Sequence, residues 1–419
     1  MNTNDTFEKN FRVKTFAIYT LGCKLNFSES SDIARQLKER GWNEKPTFPD
    51  VIIVNSCAVT SSAVKKTRNL VSRLYREYSD AKIIVVGCYA ALEPEIQKRW
   101  TGVSAVFGNE DKMNLISYLH NEPVSETPCF FSTFSSGDRT RSFLKIQDGC
   151  DYHCSYCTVA KARGSSRSDT VEGVLAQLNT IAKLGMKEVN LTGVNIGDFG
   201  KNNAYNFYDL LCEIDKNSPV PRIRISSVEP DLLKDEIIDL VAQSEVLMPH
   251  FHIPLQSGSD SVLAAMRRRY KRDLFAEKIH RIKEKIPHAC IAIDIISGFP
   301  TENNSDFEDS FCFVKKLPIS YLHVFTYSKR PNTPASMMPQ LHDSLKKERT
   351  LRLLTLSDEK QAQFYAEHEK TTRPVLCESD NDDGFMYGFT DNYIKVKMPF
   401  DAAKINQILD VFLTKKCMV

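Results

Sequence analysis

Short apolar runs alternate with amphipathic stretches along this chain, and the alternation predicts an α/β fold. Three runs near the N-terminus are continuous and β-branched, as in strands buried on both faces: FAIYTLGC, DVIIVNSC and KIIVVGC. Helical patterns over residues 28–41 and 63–78 lie between them. Strands that alternate with helices form parallel sheets, so residues 1–122 are predicted to be a parallel α/β domain.

A second alternating series follows a polar stretch, residues 123–141, that is predicted to be a linker. Asp169 is the predicted N-cap of a helix that ends at Gly185. Six β/α units predict a partial (β/α)6 barrel over residues 142–370. This range ends in a long charged helix, residues 341–370, that tethers the C-terminal module. Residues 371–419 are predicted to be a small β-barrel. The strand-like runs of the series are residues 143–148, 188–193, 222–228, 250–255, 290–296 and 321–327.

Composition narrows the class of protein without identifying it. The chain has 419 residues, of which 42% are apolar and 26% charged, and its net charge is +2. These values are typical of a globular protein, and any basic surface must therefore be local. No apolar run has the length of a membrane span, and no signal segment is visible. A cytoplasmic protein is expected, in which the twelve cysteines do not form disulfides.

Three cysteines follow the first strand of the predicted barrel, in the stretch KIQDGCDYHCSYC. Cys150, Cys154 and Cys157 have the spacing C-x3-C-x2-C, and thiolates this close bind zinc or an iron–sulfur cluster. Structural zinc requires a fourth ligand, and His153 is poorly placed for one tetrahedral site because it directly precedes Cys154. A [4Fe–4S] cluster held by three cysteines keeps one iron open for a small molecule.

A second set of three cysteines is spread along the sequence, but each of them has the same position relative to a predicted strand. Cys23, Cys57 and Cys88 each directly follow one of the three N-terminal strands. The carboxyl ends of parallel strands meet at one edge of a sheet, which is also where such sheets bind ligands. We therefore expect these three thiols to lie together, although a single cysteine is more often a small buried apolar residue.

The two cysteine sets together resemble the radical S-adenosylmethionine methylthiotransferase family. The resemblance rests on TLGCKLN, VNSCAVT and VVGCYA upstream of the C-x3-C-x2-C loop, and it covers essentially the whole chain. It implies a small C-terminal β-barrel called TRAM and two [4Fe–4S] clusters. One cluster, on Cys150, Cys154 and Cys157, cleaves S-adenosylmethionine to a radical. The other, on Cys23, Cys57 and Cys88, carries the sulfur that is methylated and transferred.

The resemblance also implies which residues contact S-adenosylmethionine. In this superfamily the strand ends that follow the cysteine loop complete the cofactor site. Each of the corresponding residues here could equally be barrel core or an ordinary polar residue at a strand end. The implied contacts are Tyr156, Gly193, Asn195, Ser227, Glu229, Gln256, Ile295 and Phe325.

Family members act on modified adenosines beside the tRNA anticodon or on an aspartate of a ribosomal protein. LGCKLN, KIQDGC and RRRY most resemble the branch that acts on N6-threonylcarbamoyladenosine in tRNA, while isopentenyladenosine and the ribosomal aspartate remain alternatives. A monomer that receives electrons from a flavodoxin or ferredoxin is expected. A non-catalytic iron–sulfur protein that binds RNA is the alternative of another class. Local basic residues predict phosphate contacts: Arg267, Arg268, Arg269, Lys271, Arg272, Lys161 and Arg163.

Overall fold

The computed structural model describes residues 13–58, 60–123, 130, 132–136, 140–201 and 203–419. It confirms the predicted fold class: a parallel α/β unit, a partial (β/α)6 barrel and a small antiparallel β unit follow one another along the chain. Within the described residues, none of the helices combines the length and the apolar character that crossing a membrane requires.

The N-terminal unit is a five-stranded parallel sheet with helices on both faces. Its strand order is β2-β1-β3-β4-β5, so the three strands that precede cysteines are direct neighbours, as predicted. All six side chains of β3 are buried, which explains its unbroken apolar run. The elements are β1 Thr15–Thr20, α1 Lys24–Glu39, β2 Asn43–Glu44, β3 Val51–Ser56, α2 Ser61–Glu77, β4 Lys82–Gly87, α3 Cys88–Leu92, α4 Ile96–Arg99, β5 Val103–Phe107 and α5 Asn114–His120.

Helix α1 begins four residues before the start predicted from the sequence. Cys23, not a residue near Ser28, occupies the N-cap position, and its backbone is extended there. The prediction failed because Lys24 to Phe27 has no strong helix pattern of its own, and contacts with neighbouring segments determine the start instead. The consequence is that Cys23 lies at a helix N-terminus, and Lys24 is the first helical residue.

Six parallel strands form the barrel, in the order β7-β10-β11-β12-β13-β14. The pairing of β11 with β12 is reduced to the isolated bridges Ile223–Leu247 and Ser227–His252. The elements are β6 Thr133–Phe134, β7 Arg141–Lys145, β8 Gln147–Asp148, α6 Val159–Arg163, β9 Arg167–Ser168, α7 Val171–Lys183, β10 Glu188–Thr192, α8 Phe207–Asn217, β11 Arg222–Ile225, α9 Asp235–Gln243, β12 His250–Gln256, α10 Asp260–Ala265, α11 Arg272–Lys285, β13 Cys290–Ser297, α12 Asn304–Lys316, β14 Tyr321–Thr326 and α13 Asp343–Glu367.

Side chains alternate between two environments along these strands. One set, for example Val189, Ile253 and Ile293, packs against the surrounding helices in the main apolar core. The alternate set lines the interior of the barrel, which we call the lumen, and it is largely polar and charged. The barrel strands thus have a dry outer face and a polar inner face.

Two local predictions for this region differ from the structure in detail. Thr170, not Asp169, caps helix α7, because its hydroxyl accepts the Gly173 amide at 3.0 Å. Part of the predicted linker is ordered, since β6 pairs antiparallel with β7. Other residues of that linker, 124–129, 131 and 137–139, lie outside the described residues.

The C-terminal unit is a four-stranded antiparallel sheet in the order β17-β16-β15-β18. Its strands are β15 Thr372–Cys377, β16 Phe385–Thr390, β17 Lys395–Pro399 and β18 Ile408–Phe412. The last residues return to β17 through the bridge Val396–Met418, which closes the sheet as a small barrel. Two lumen arginines hold this unit against the large barrel: Arg222 donates to Pro374 O at 2.6 Å, and Arg224 donates to Thr390 O at 2.6 Å.

Candidate iron–sulfur and cofactor site

The C-x3-C-x2-C loop lies at the carboxyl end of the first barrel strand, between β8 and α6. Gly149 has a φ of 72°, and a Cβ on it would lie 1.9 Å from Ser165 O. The amide of Cys150 then donates to Gly164 O at 3.1 Å. The two ends of the loop are thereby held together, which brings its three thiols to one side.

Each sulfur of this loop accepts an N–H hydrogen bond, at 3.2 to 3.4 Å. Burial raises the pKa of Cys150 to about 12 and that of Cys157 to about 11. Each of these two thiols therefore keeps its proton until iron binds, because the positive charge of the metal stabilises the thiolate. The donors to Cys150, Cys154 and Cys157 are, in that order, the Tyr152 amide, the Arg268 guanidinium and the Val159 amide.

Gly149→Ala is expected to lower the iron content of the reconstituted protein and to destabilise it by about 3 kcal/mol, because the new methyl group collides with rigid backbone. Gly41→Ala is the matched control, since Gly41 also has a positive φ, 81°, but nothing lies within 4 Å of the position that its new methyl group would take. We expect the control to lose only about 1 kcal/mol and no iron. Urea unfolding and iron analysis compare the two; equal losses would contradict the steric argument.

The three N-terminal cysteines lie where predicted, at the carboxyl ends of adjacent strands β1, β3 and β4. Cys57 packs tightly over Gly22, where a Cβ would lie 2.8 Å from the Cys57 Cβ. Cys23 is exposed and Cys88 half-buried, whereas Cys57 is buried.

Asn26 holds two of these cysteine segments together. Its side-chain amide donates to Leu21 O at 2.7 Å and to Ser56 O at 3.1 Å, and these carbonyls lie just before Cys23 and Cys57. The third segment is contacted by Asn109, whose amide lies 3.5 Å from Cys88 Sγ and donates to Ala162 O at 2.7 Å. Ala162 is in α6, directly after the C-x3-C-x2-C loop, so Asn109 joins the Cys88 segment to the helix that follows the loop.

Arg163 connects the two sets through a fully buried ion network. Its guanidinium donates to Asn26 Oδ1 at 2.8 Å, to Glu29 Oε1 at 3.0 Å and to Asp148 Oδ1 at 2.9 Å. Burial alone would raise the pKa of the Glu29 carboxyl, but Arg163, Lys112 and Lys145 hold it well below its usual range. The network therefore contains permanent charges that satisfy one another.

The residues of both sets suit an iron–sulfur cluster better than disulfides or plain core. All eleven cysteines within the described residues are free thiols. In both sets the thiols are grouped at strand ends, and glycines leave room for a close approach. N–H donors surround the sulfurs of the loop, as is usual around cluster thiolates.

Several predicted cofactor contacts surround the mouth of the barrel. The loop at Gly193 wraps around Gln147, whose Oε1 accepts the amides of Val194 and Asn195 at 2.9 and 2.8 Å. A Cβ at Gly193 would lie 2.8 Å from the same oxygen, so glycine is needed there. The buried Oδ1 of Asn195 has no partner in the described part of the chain, and Gln256 has a φ of 67° at a register irregularity of β12.

The remaining predicted contacts differ in their accessibility. Tyr156 lies beside Phe299, with ring centroids 6.4 Å apart, and Ser227 forms its bridge to β12. Phe325 is 45% exposed. Ile295 differs from the other predicted contacts, because its side chain is buried in the core that faces the helices. Its side chain cannot reach a ligand in the lumen, which leaves only its backbone for such a contact.

Arg268 and Glu229 form a buried ion pair next to the cysteine loop. Burial raises the pKa of Glu229 to about 7, and the guanidinium of Arg268 opposes the rise. The same guanidinium contacts Cys154 Sγ. The predicted phosphate contacts of Arg268 and Arg163 are therefore wrong, because both side chains are buried in ion pairs.

The other predicted RNA contacts remain at the surface. Arg267, Arg269, Lys271 and Lys161 are exposed. Arg269 lies over the Tyr152 ring, 3.9 Å from its centroid, and the ammonium of Lys161 donates to Asn332 O. Arg272 is only half-exposed, because its guanidinium lies over the ring of Phe313. A basic surface thus adjoins the cysteine loop.

Sequence reasoning missed four residues that meet in the lumen: Lys24, His252, Asp294 and His323. Burial and the guanidinium groups of Arg141 and Arg224 lower the pKa of Lys24 to about 8. The available signal was that His250 and His252 occupy alternate positions of the run HFHIPL, and that His323 interrupts the apolar run YLHVFT. Lys24 had no such signal, because its position depends on the packing of α1 against the barrel.

Comparison with known proteins agrees with this arrangement. A model of the Radical SAM superfamily matches residues 144–314, and one described as Uncharacterized protein family UPF0004 matches residues 15–108. Threonylcarbamoyladenosine tRNA methylthiotransferase MtaB of Bacillus subtilis is 35% identical, over 96% of this chain and 94% of the relative. The Thermotoga maritima protein of the same name is 36% identical, over 91% of each chain. A tRNA-2-methylthio-N(6)-dimethylallyladenosine synthase of Staphylococcus aureus is 30% identical, over 95% of this chain and 82% of the relative.

Solved structures share the fold at low sequence identity. The radical S-adenosylmethionine methyltransferase TsrM of Kitasatospora setae has a TM-score of 0.59 and 13% identity, over 78% of this chain and 77% of that one. The cobalamin-dependent enzyme OxsB has a TM-score of 0.52 and 13% identity, over 84% and 58% of the respective chains. Fold and cysteine loop define a radical S-adenosylmethionine enzyme. Within that class, the chain belongs to the methylthiotransferase family.

Proposed function

We propose that the protein converts N6-threonylcarbamoyladenosine next to the tRNA anticodon to its 2-methylthio derivative. The observation that carries the proposal is the presence of two cysteine sets at strand ends, whose segments Asn109 links through its contacts with Cys88 and Ala162. The relatives named for this activity are 34–36% identical to the chain over most of its length, and they support the choice of substrate.

Each cysteine set holds one [4Fe–4S] cluster in this proposal. The clusters supply reductive cleavage of S-adenosylmethionine and the sulfur that is transferred. The chain's own contribution is to position them: Arg163 fixes α6 against α1, and Arg268 positions Cys154. Tyr156 and the loop at Gly193 and Asn195 would hold S-adenosylmethionine at the barrel mouth.

The proposal extends to the partners. The exposed residues Arg267, Arg269, Lys271 and Lys161 contact phosphates of the anticodon stem-loop. A flavodoxin or ferredoxin supplies electrons. One chain suffices as a monomer because it carries both cysteine sets, and its tRNA substrate places it in the cytoplasm.

Nucleoside mass spectrometry of tRNA from a deletion strain tests the substrate. We expect loss of 2-methylthio-N6-threonylcarbamoyladenosine with the unmodified precursor retained. Wild-type protein should restore the product, and Cys57→Ala should not. Normal methylthio content in the deletion strain would overturn the proposal. Loss of the methylthio group from dimethylallyladenosine, or from a ribosomal aspartate, would instead support one of the alternative substrates.

A further inference from the structure

Three polar side chains, His252, Asp294 and His323, form a compact group in the lumen. Together with the nearby Lys24 we call them the lumen cluster. The His252 Nε2 lies 2.7 Å from Asp294 Oδ1, and the ring centroids of His252 and His323 are 5.2 Å apart. One ligand atom from each of His252, Asp294 and His323 lies within 4.8 Å of the others. The three strands β12, β13 and β14 thus direct hydrogen-bonding groups at one point.

Lys24 enters this group from a different part of the chain, the first residue of α1. Its ammonium lies 5.7 Å from the centroid of the Phe143 ring on β7, and it interacts electrostatically with His323. No hydrogen bond or ion pair joins it to any other residue in the described part of the chain. An ammonium so surrounded by protein is costly unless an anion accompanies it.

The arginines near Lys24 pair with carboxylates. Arg224 pairs with Glu188 at 2.8 Å, and Arg141 pairs with Glu378 at 2.7 Å. Asp294 forms a hydrogen bond with His252, and its carboxylate is a third anionic group of the lumen. Arg222 also lies near Glu188, at 3.8 Å, so these described residues carry four cationic groups, Lys24, Arg141, Arg222 and Arg224, against three carboxylates. One further anion would balance them.

Neutral groups in the same lumen also lack partners. The amide nitrogen of Asn190 and both ring nitrogens of His250 are buried without a hydrogen bond within the described residues, and so is the Ser226 hydroxyl. Native interiors seldom leave so many groups unsatisfied in one place, which indicates that a polar ligand completes them. The lumen therefore suits a ligand with one anionic group surrounded by neutral hydrogen-bonding groups.

We propose that the lumen binds the carboxylate of the threonylcarbamoyl side chain, with Lys24 as its counter-ion and His252 and His323 as partners of its other polar groups. This inference rests on the proposed function and adds the basis of its substrate specificity. A dimethylallyl group, the corresponding substituent in the S. aureus relative's name, is a hydrocarbon and would leave the lumen cluster unpaired. A site built to form hydrogen bonds and an ion pair with its substrate disfavours the apolar analogue for that reason.

The experiment uses the reconstituted full-length enzyme and two RNAs, both anticodon stem-loops. One carries threonylcarbamoyladenosine, and the other carries its carboxyl methyl ester, which differs by the loss of the charge. For the wild type we expect a KM roughly 10- to 100-fold higher for the ester, the usual effect of losing one charge-assisted hydrogen bond. Lys24→Met should raise the KM for the acid by the same factor and abolish the difference between the two RNAs. Lys24→Arg should restore part of the preference for the acid.

The control is Lys38→Met, which removes an exposed lysine from the same helix and should keep the wild-type preference. Rates are normalised to the iron content of each preparation. If the wild type uses acid and ester equally, or Lys24→Met keeps the preference, the inference fails while the proposed function stands. If the wild type modifies neither RNA, the proposed function itself fails. The comparison of the two RNAs on the wild type decides the question even if Lys24→Met does not fold.

Discussion

Alanine in place of Cys150, Cys154 and Cys157 is expected to lower the iron content from about eight to about four atoms per chain, and to abolish 5′-deoxyadenosine formation. The remaining four irons are expected because the N-terminal set has its own supports. Asn26 holds the Cys23 and Cys57 segments through backbone carbonyls of its own unit. Iron and acid-labile sulfide analysis after anaerobic reconstitution measures the first effect, and chromatography of the cleaved cofactor measures the second.

The reciprocal variant separates the roles of the two sets. With alanine at Cys23, Cys57 and Cys88 we again expect about four irons, but 5′-deoxyadenosine should still form while no methylthio product appears. Continued slow product formation would mean that the N-terminal cluster only transfers electrons. Alanine at Cys212 or Cys312, which lie in α8 and α12, is the control and should change neither quantity.

The wild type could instead bind about four irons and the variant without the loop cysteines none. That result would mean that the N-terminal cysteines hold no cluster. Sulfur transfer would then lose its physical basis. A reduced, fully loaded protein that cleaves no S-adenosylmethionine would favour the non-catalytic RNA-binding alternative.

Arg163→Met is expected to destabilise the protein by on the order of 3 kcal/mol and to lower the iron content of the N-terminal set. Methionine keeps the bulk of the side chain but removes the guanidinium that joins Asn26, Glu29 and Asp148. Lys112 and Lys145 still compensate Glu29, so the carboxylate is not left entirely without cations. The amide of Asn26 loses its anchor, and the backbone segments that precede Cys23 and Cys57 become less well held.

Urea unfolding of the cluster-free protein measures the stability, and iron analysis of a preparation that also lacks the loop cysteines reports the N-terminal set alone. Arg40→Met is the control, because it breaks the exposed ion pair of Arg40 with Glu122 and such pairs contribute little. If Arg163→Met behaves like this control, the buried network does not support the cluster. If it only destabilises and leaves iron binding intact, Arg163 joins the two units without positioning the cysteines.

Much of this protein could be predicted from local sequence alone. The three N-terminal strands and the six barrel strands occur where their apolar runs predicted them, because burial on the helix-facing side imposes that pattern on each strand separately. The cysteine spacing in the loop and the position of the other three at strand ends are also local features. Parallel topology then places Cys23, Cys57 and Cys88 at one edge without further information.

Only the tertiary structure decided which charged residues are buried. Arg163 and Arg268 belong to basic stretches like those at the surface, yet Arg163 pairs with Glu29, 134 residues away, and Arg268 with Glu229. A charged side chain has the same sequence signature in solvent and in a buried pair, because its partner is set by packing rather than by neighbouring residues. The same reason applies to Lys24, which reaches the lumen only because α1 packs against the barrel and carries the residue after Cys23 inside.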